Sequence, residues 1–229
     1  MTTTRIGDFN AYIATPAGPP KAAIIVIQEI FGVNPGIRQK CDTWAKAGYL
    51  AVAPDLFWRI KPGIELDPDV AAELQEGFGY FGQYDANDGV MDIEMTIKAI
   101  HAGLGDQPPV AKVGCVGYCL GGRLAYMTAC RTDISASVGY YGVMIDQMID
   151  ESHALAHPLM LHIPTADGFV GPEAQAAIHA GLDSHPKVTL YDYQGLDHGF
   201  AAETGNRRNQ AGAQLADSRT AEFFAAHLA

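Results

Sequence analysis

Six short runs of apolar, mostly β-branched or small residues recur along the chain, and stretches with helical spacing lie between most of them. That alternation constrains the fold more than any other feature. Residues 22–27 (AAIIVI) are apolar at every position, the pattern of a strand covered on both faces. Asn34 then precedes Pro35, an N-cap and first-turn pair, and the helix they open runs to Ala47, with Gly48 as its stop. Residues 49–53 form the next strand, closed by Pro54-Asp55. A helix follows over 86–102, with Val90, Ile93, Ile97 and Ile100 on one face. Residues 111–116 are a strand that runs directly into Gly117. Strands over 136–141, 159–163 and 187–193, with helices over 172–182 and 210–228, continue the rhythm. The expectation is an α/β fold: one doubly wound, mostly parallel sheet with helices on both faces, in a single domain over residues 1–229.

Two stretches break the rhythm. Residues 55–68 read as an irregular connection, and 77–82 (GFGYFG) alternate glycine with aromatics. Both read either as surface loops or as a cap over a pocket at the carboxyl ends of the strands, where open α/β sheets bind ligands. The cap reading makes Phe78 and Phe81 substrate contacts.

Composition narrows the partners. Hydrophobic residues make up 48% of the 229, enough for a sizeable core. Lys plus Arg number 15 against 26 Asp plus Glu, a formal charge of -11. Such a surface repels phosphate backbones and anionic lipid, so neither nucleic acid nor membrane is an expected partner. The N-terminus lacks a basic-then-apolar leader and no apolar run is long enough to span a bilayer, so a cytoplasmic monomer is expected. Its four cysteines, with no CxxC pair, are expected as thiols, and Cys41, Cys115 and Cys130 read as small buried hydrophobes.

Cys119 reads differently. A strand, then Gly117-Tyr118-Cys119-Leu120-Gly121, then a helix is the layout of a nucleophile elbow. The sharp turn leaves no room for side chains at its flanks, hence the two glycines. It lifts the thiol above the sheet at a helix N-terminus, where partial positive charge favours thiolate and free N–H groups can hold an oxyanion. A phosphate-binding turn is the competing reading. The spacing Gly117-x-x-x-Gly121-Gly122, with no acidic residue at the end of the following strand, fits it poorly.

The partners for Cys119 are ordered as such sites require. His198 follows the 187–193 strand and precedes the last helix; Asp167 follows the 159–163 strand beside Gly168. Nucleophile, acid and histidine in that order are the α/β-hydrolase arrangement. Glu29, directly after the first apolar run, risks burial and so needs a partner or a raised pKa. Either Arg38 or Arg123 pairs with it, or it takes the thiol proton.

These residues together resemble the dienelactone hydrolase family. The resemblance rests on Gln28-Glu29-Ile30-Phe31-Gly32, Pro54-Asp55-Leu56, Gly117 to Gly122, Gly139-Tyr140-Tyr141-Gly142, Asp167 and His198-Gly199-Phe200, and covers the chain from about residue 16 onward. It implies an α/β-hydrolase that opens a small ester or lactone, such as an enol-lactone, through a thioester, with no cofactor or metal. It implies Cys119, His198 and Asp167 as triad, Glu29 as acceptor of the thiol proton, and the Ile30 and Leu120 N–H groups as oxyanion hole. Tyr141 is expected at the substrate. Family members that cleave dienelactone hold its carboxylate with arginines; one matching position here is Ala202, and the helix region expected to hold the other offers Leu74, Gln75 and Phe78. The clamp is then absent or rebuilt from Arg59, Lys61 or Arg123, which leaves an esterase for uncharged esters, or a catalytically silent binding protein, as alternatives.

Overall fold

A computed structural model describes residues 2–229. Eight strands form one sheet in the order β1-β2-β4-β3-β5-β6-β7-β8. They are β1 (Thr2–Ile6), β2 (Phe9–Ala14), β3 (Ala23–Ile27), β4 (Leu50–Pro54), β5 (Val113–Tyr118), β6 (Ala136–Tyr140), β7 (Leu159–Pro164) and β8 (Val188–Tyr193). From β4 across to β8 every pairing is parallel; β1 and β2 are antiparallel to their neighbours.

Alternation along β3 shows why the central runs are apolar throughout. Ile24 and Val26 face one side, with Ile37 and Cys41 of α1 (Pro35–Lys46) and Phe223 and Phe224 of α6 (Gln210–His227). Ile25 and Ile27 face the other, with Val90, Ile93 and Ile97 of α3 (Ala86–Ala102) and Leu124 of α4 (Leu120–Arg131). A strand clothed on both faces favours apolar residues at successive positions, and the few polar ones it carries, Ser137 in β6 and His162 in β7, are buried. Asn34 caps α1 by accepting from the Ile37 N–H at 3.1 Å. α5 (Pro172–Leu182) packs Ile178 and Leu182 against Leu159 and Leu161 near the far edge.

Strands β1 and β2 and helix α2 (Ala71–Gln83) differ from the sequence reading. The N-terminal hairpin β1–β2 lacks the long apolar runs of the inner strands; β1 is Thr-rich and mostly exposed. The glycine-aromatic stretch is helical, inside α2. Gly77 lies where a Cβ would come within 3.1 Å of the Ile30 carbonyl, so its glycine serves close helix packing, while Gly79 and Gly82 face open space. Residues 55–68 are irregular as expected, held by Asp55, which accepts from the Phe57 and Gly63 N–H groups. Among the described residues, no helix is long and apolar enough to cross a membrane.

Candidate active site

The site is built on the β5–α4 turn. Cys119 is the N-cap of α4 with φ 56° and ψ -113°, a conformation L-residues rarely hold. The packing behind it explains the glycines. A Cβ on Gly117 would fall 1.8 Å from the Gly121 carbonyl oxygen, and one on Gly121 would fall 2.4 Å from that of Ile27. Only a glycine pair lets α4 start this close to the sheet. Cys119 is partly exposed, whereas Cys41, Cys115 and Cys130 are buried. Burial pushes those three thiols up, to about 12 for Cys115 and about 11 for Cys130, so they are inert at neutral pH.

His198 sits beyond β8 and Asp167 beyond β7. The imidazole Nδ1 lies 2.9 Å from Asp167 Oδ2, and both side chains are buried. Asp167 Oδ1 also accepts from the Phe169 and Val170 N–H groups, which pins the carboxylate. The two loops are tied together by Asp197, whose Oδ1 accepts from the Gly168 and His198 N–H groups; those bonds hold its carboxyl below the ordinary range. With Nδ1 committed to Asp167, Nε2 is the ring nitrogen left for Cys119, which borders the same cleft. Burial opposes charge on His198, but Cys119 and Asp167 outweigh it and push its pKa up to about 10.

Glu29, just past β3, is only 9% exposed yet borders the same cleft. Burial raises its pKa, against the opposing pull of His198, Lys40, Tyr141 and Arg207. Neither expected arginine partner reaches it: Arg38 pairs with Glu65 at 2.7 Å, and Arg123 lies against the Met144 sulfur. Next to Glu29, Ile30 borders the cleft, and Leu120 begins α4; neither N–H donates to another protein group among the described residues.

The cleft holds about 820 Å³ including its open mouth. Cys119, His198 and Glu29 meet at it. Phe31, Leu74, Phe78, Phe81, Val143 and Phe169 give it apolar walls. Phe169 sets its ring edge-on to His198, centroids 4.8 Å apart, and tilts against Phe78 at 6.0 Å.

Other placements differ from expectation. Arg59 does not line the cleft: it pairs with the buried Asp92 at 2.5 Å and lies over the Trp58 ring. Lys61 pairs with Glu76, and Arg123 opens onto a separate depression beside Arg131. The cation bordering the cleft is Arg207, from the loop before α6, its guanidinium 5.8 Å from the Phe169 ring centroid and 3.9 Å from Asp197. Sequence reasoning missed it because it stands five positions past Ala202. Tyr141 is a wall behind His198 rather than a surface of the cleft, 1% exposed with its ring 4.9 Å from the imidazole.

A parallel-centred sheet with a strand-turn-helix elbow at its middle defines the α/β-hydrolase fold. A crystal structure of a provisionally titled dienelactone hydrolase from Klebsiella pneumoniae superposes with a TM-score of 0.85, 24% identical, covering 98% of this chain and 97% of that one. The model of the dienelactone hydrolase family matches residues 9–228, and the chain belongs to that family and is a hydrolase. A provisionally named carboxymethylenebutenolidase of Azospirillum brasilense is 40% identical over 97% of this chain and 95% of its own length. Carboxymethylenebutenolidase 1 of Cupriavidus pinatubonensis is 34% identical over 98% and 94%.

Proposed function

We propose that the chain, acting as one domain, hydrolyses a small carboxylic ester or lactone by covalent catalysis through Cys119. The reading rests on one observation above the others: a cysteine at a strained elbow shares the floor of an apolar cleft with a histidine already locked to a buried aspartate. In this reading the thiol proton passes to Glu29, a buried carboxyl whose raised pKa suits a proton acceptor. The thiolate adds to the substrate carbonyl, and the N–H groups of Ile30 and Leu120 hold the resulting oxyanion. Collapse expels the alcohol or enolate and leaves a thioester. Acylation removes the Cys119 charge that raises the His198 pKa, so the ring, oriented by Asp167, then deprotonates the water that hydrolyses the thioester and releases the acid and Cys119.

For the substrate, the apolar walls favour an apolar body, and Arg207 at the mouth favours one carboxylate, bound beside Phe169 in place of the missing family arginines. An esterase for uncharged esters is the second reading, favoured by Ala202 at the cleft wall. p-Nitrophenyl acetate turnover by the wild type and its loss in Cys119→Ala test the nucleophile; equal rates in both proteins would dismiss it, and no turnover by either would favour a binding protein. Comparing dienelactone with uncharged lactones, in wild type and Arg207→Gln, tests the substrate. Arg207 is in error if the variant loses both to the same extent.

A further inference from the structure

We propose that Asp197 is a positioning residue for the Asp167–His198 pair: its Oδ1 staples the loop that carries the acid to the turn that carries the histidine. The proposal rests on the roles of Cys119, His198 and Asp167 given above. Asp197 Oδ1 accepts from the Gly168 N–H at 2.9 Å and from the His198 N–H at 2.7 Å. Gly168 directly follows Asp167, and Asp197 directly precedes His198. The 2.9 Å bond between the imidazole Nδ1 and Asp167 Oδ2 therefore closes a ring with the staple, and each half keeps the other in register. Neither N–H has another acceptor among the described residues. A turn aspartate serving only its own turn would meet the His198 N–H, and not a group 29 positions back in the chain.

The two loops are also joined further back, by bonds that do not involve the Asp197 side chain. The Thr165 N–H donates to the Tyr193 carbonyl at 3.1 Å, the Ala166 N–H to that of Leu196 at 2.9 Å, and the Gly195 N–H to Thr165 Oγ1 at 2.9 Å. Asp197 adds the last tie, nearest the triad, on a side chain that is 61% exposed. Its loss therefore loosens the imidazole rather than the fold. The other oxygen, Oδ2, faces Arg207, but at 3.9 Å between two largely exposed side chains that contact is too long and too hydrated to hold the arginine. The two short bonds from N–H groups to an ionised acceptor are the stronger interaction and decide the role.

The step that depends on this alignment is deacylation. A water O–H bond breaks and its proton goes to His198 Nε2; the water oxygen bonds to the thioester carbon. The C–S bond then breaks, and its electron pair returns to the Cys119 sulfur. Nε2 must stand within hydrogen-bond reach of that water, so a displacement on the order of 1 Å is costly. Asp197 touches neither substrate nor water. It acts through the main chain of His198 and of the residue after Asp167.

The test is the rate at which an acetyl group, placed on Cys119 by p-nitrophenyl acetate, leaves the protein, followed by quench-flow and mass spectrometry. Asp197→Ala is expected to slow that loss by about tenfold or more, the scale of a small misplacement of a catalytic group. Asp197→Asn keeps an acceptor oxygen in the same place and should return the rate to within about threefold of wild type. Arg207→Gln should leave it unchanged. A purely structural role would reduce the fraction of protein acetylated, yet leave the rate of loss per acetylated molecule unmoved. An unslowed Asp197→Ala, an Asp197→Asn as slow as Asp197→Ala, or an equally slow Arg207→Gln overturns the proposal. If Asp197→Ala does not fold, Asp197→Ser, whose hydroxyl is one bond short of Gly168, should show the same slowing, and a wild-type rate there refutes it. The His198 Nδ1 proton, read by ¹H NMR in the free enzyme, tests the staple without an adduct: its downfield resonance should shift or broaden in Asp197→Ala and return in Asp197→Asn. If the wild type forms no adduct at Cys119, the parent reading fails and this proton alone decides the staple, an unperturbed resonance in Asp197→Ala refuting it. An adduct that leaves at one rate from every variant sinks the role of Asp197 alone.

Discussion

His162 makes the stability of this fold pH-dependent in a direction and amount that can be worked out. It lies inside β7, 1% exposed, with Nδ1 2.7 Å from the Tyr193 hydroxyl and Nε2 2.9 Å from Thr220 Oγ1. The Tyr140 hydroxyl meets the same Thr220 oxygen at 2.7 Å, so the ring is one member of a closed polar network. Burial, with the nearby Arg219 charge adding to it, pushes the imidazole down to about 3. A folded pKa below the unfolded value of about 6.5 means that the unfolded chain takes up the proton first. Stability is then full above about pH 6.5 and is lost as pH falls toward the folded value of about 3. At roughly 1.4 kcal/mol per unit, the loss from this one side chain amounts to about 2 kcal/mol between about pH 7 and about pH 5. Urea denaturation of wild type and His162→Gln at both pH values isolates it. The variant is less stable at neutral pH because its network is imperfect, but the difference between the two proteins should shrink by about 2 kcal/mol at the lower pH. A pH-independent difference would refute the reasoning.

Three further outcomes follow from the site. Asp167→Asn removes the charge and puts an amide NH2 donor beside Nδ1 that favours the wrong His198 tautomer, so kcat for an aryl ester should fall on the order of 10³-fold or more with little change in melting temperature; a loss under about tenfold would contradict the orienting role. Phe169→Ala strips an apolar wall that borders the cleft and touches His198, and should raise KM for aryl esters by about tenfold, equivalent to about 1.4 kcal/mol of lost apolar contact. Gly117→Ala drives a methyl into the Gly121 carbonyl and should abolish soluble expression or cost several kcal/mol of stability, on the order of about 3 or more, by denaturant titration.

The inner parallel strands were legible because they are covered on both faces and so carry mostly apolar runs, as residues 22–27 do. Capping chemistry marked α1 equally well at Asn34-Pro35 and Gly48. β1 escaped because Thr2–Ile6 is an edge strand with mostly exposed residues and no apolar run. α2 escaped because its glycines read as loop, although Gly77 answers a close contact with Ile30 that comes from a distant part of the chain. The order of Cys119, Asp167 and His198 could be read because each follows a strand, and strand ends gather at one edge of such a sheet. Side-chain direction could not. Arg59 is drawn away by Asp92, which lies 33 positions further on, and Tyr141 turns inward through its left-handed backbone. Arg207 enters the cleft because the loop before α6 folds back past Gly199, where a Cβ would come within 3.2 Å of the arginine stem.

The central claim is that a covalent bond forms at Cys119, and intact-protein mass spectrometry after rapid acid quench tests it most directly. Mixed with p-nitrophenyl acetate, the wild type should gain one acetyl group, localised by digestion to the peptide holding Cys119 and removed by hydroxylamine as a thioester is. His198→Ala should form it more slowly and retain it longer, since deacylation loses its base. Turnover without any adduct at Cys119, or an acetyl group found on another side chain at the same rate as turnover, would contradict the account.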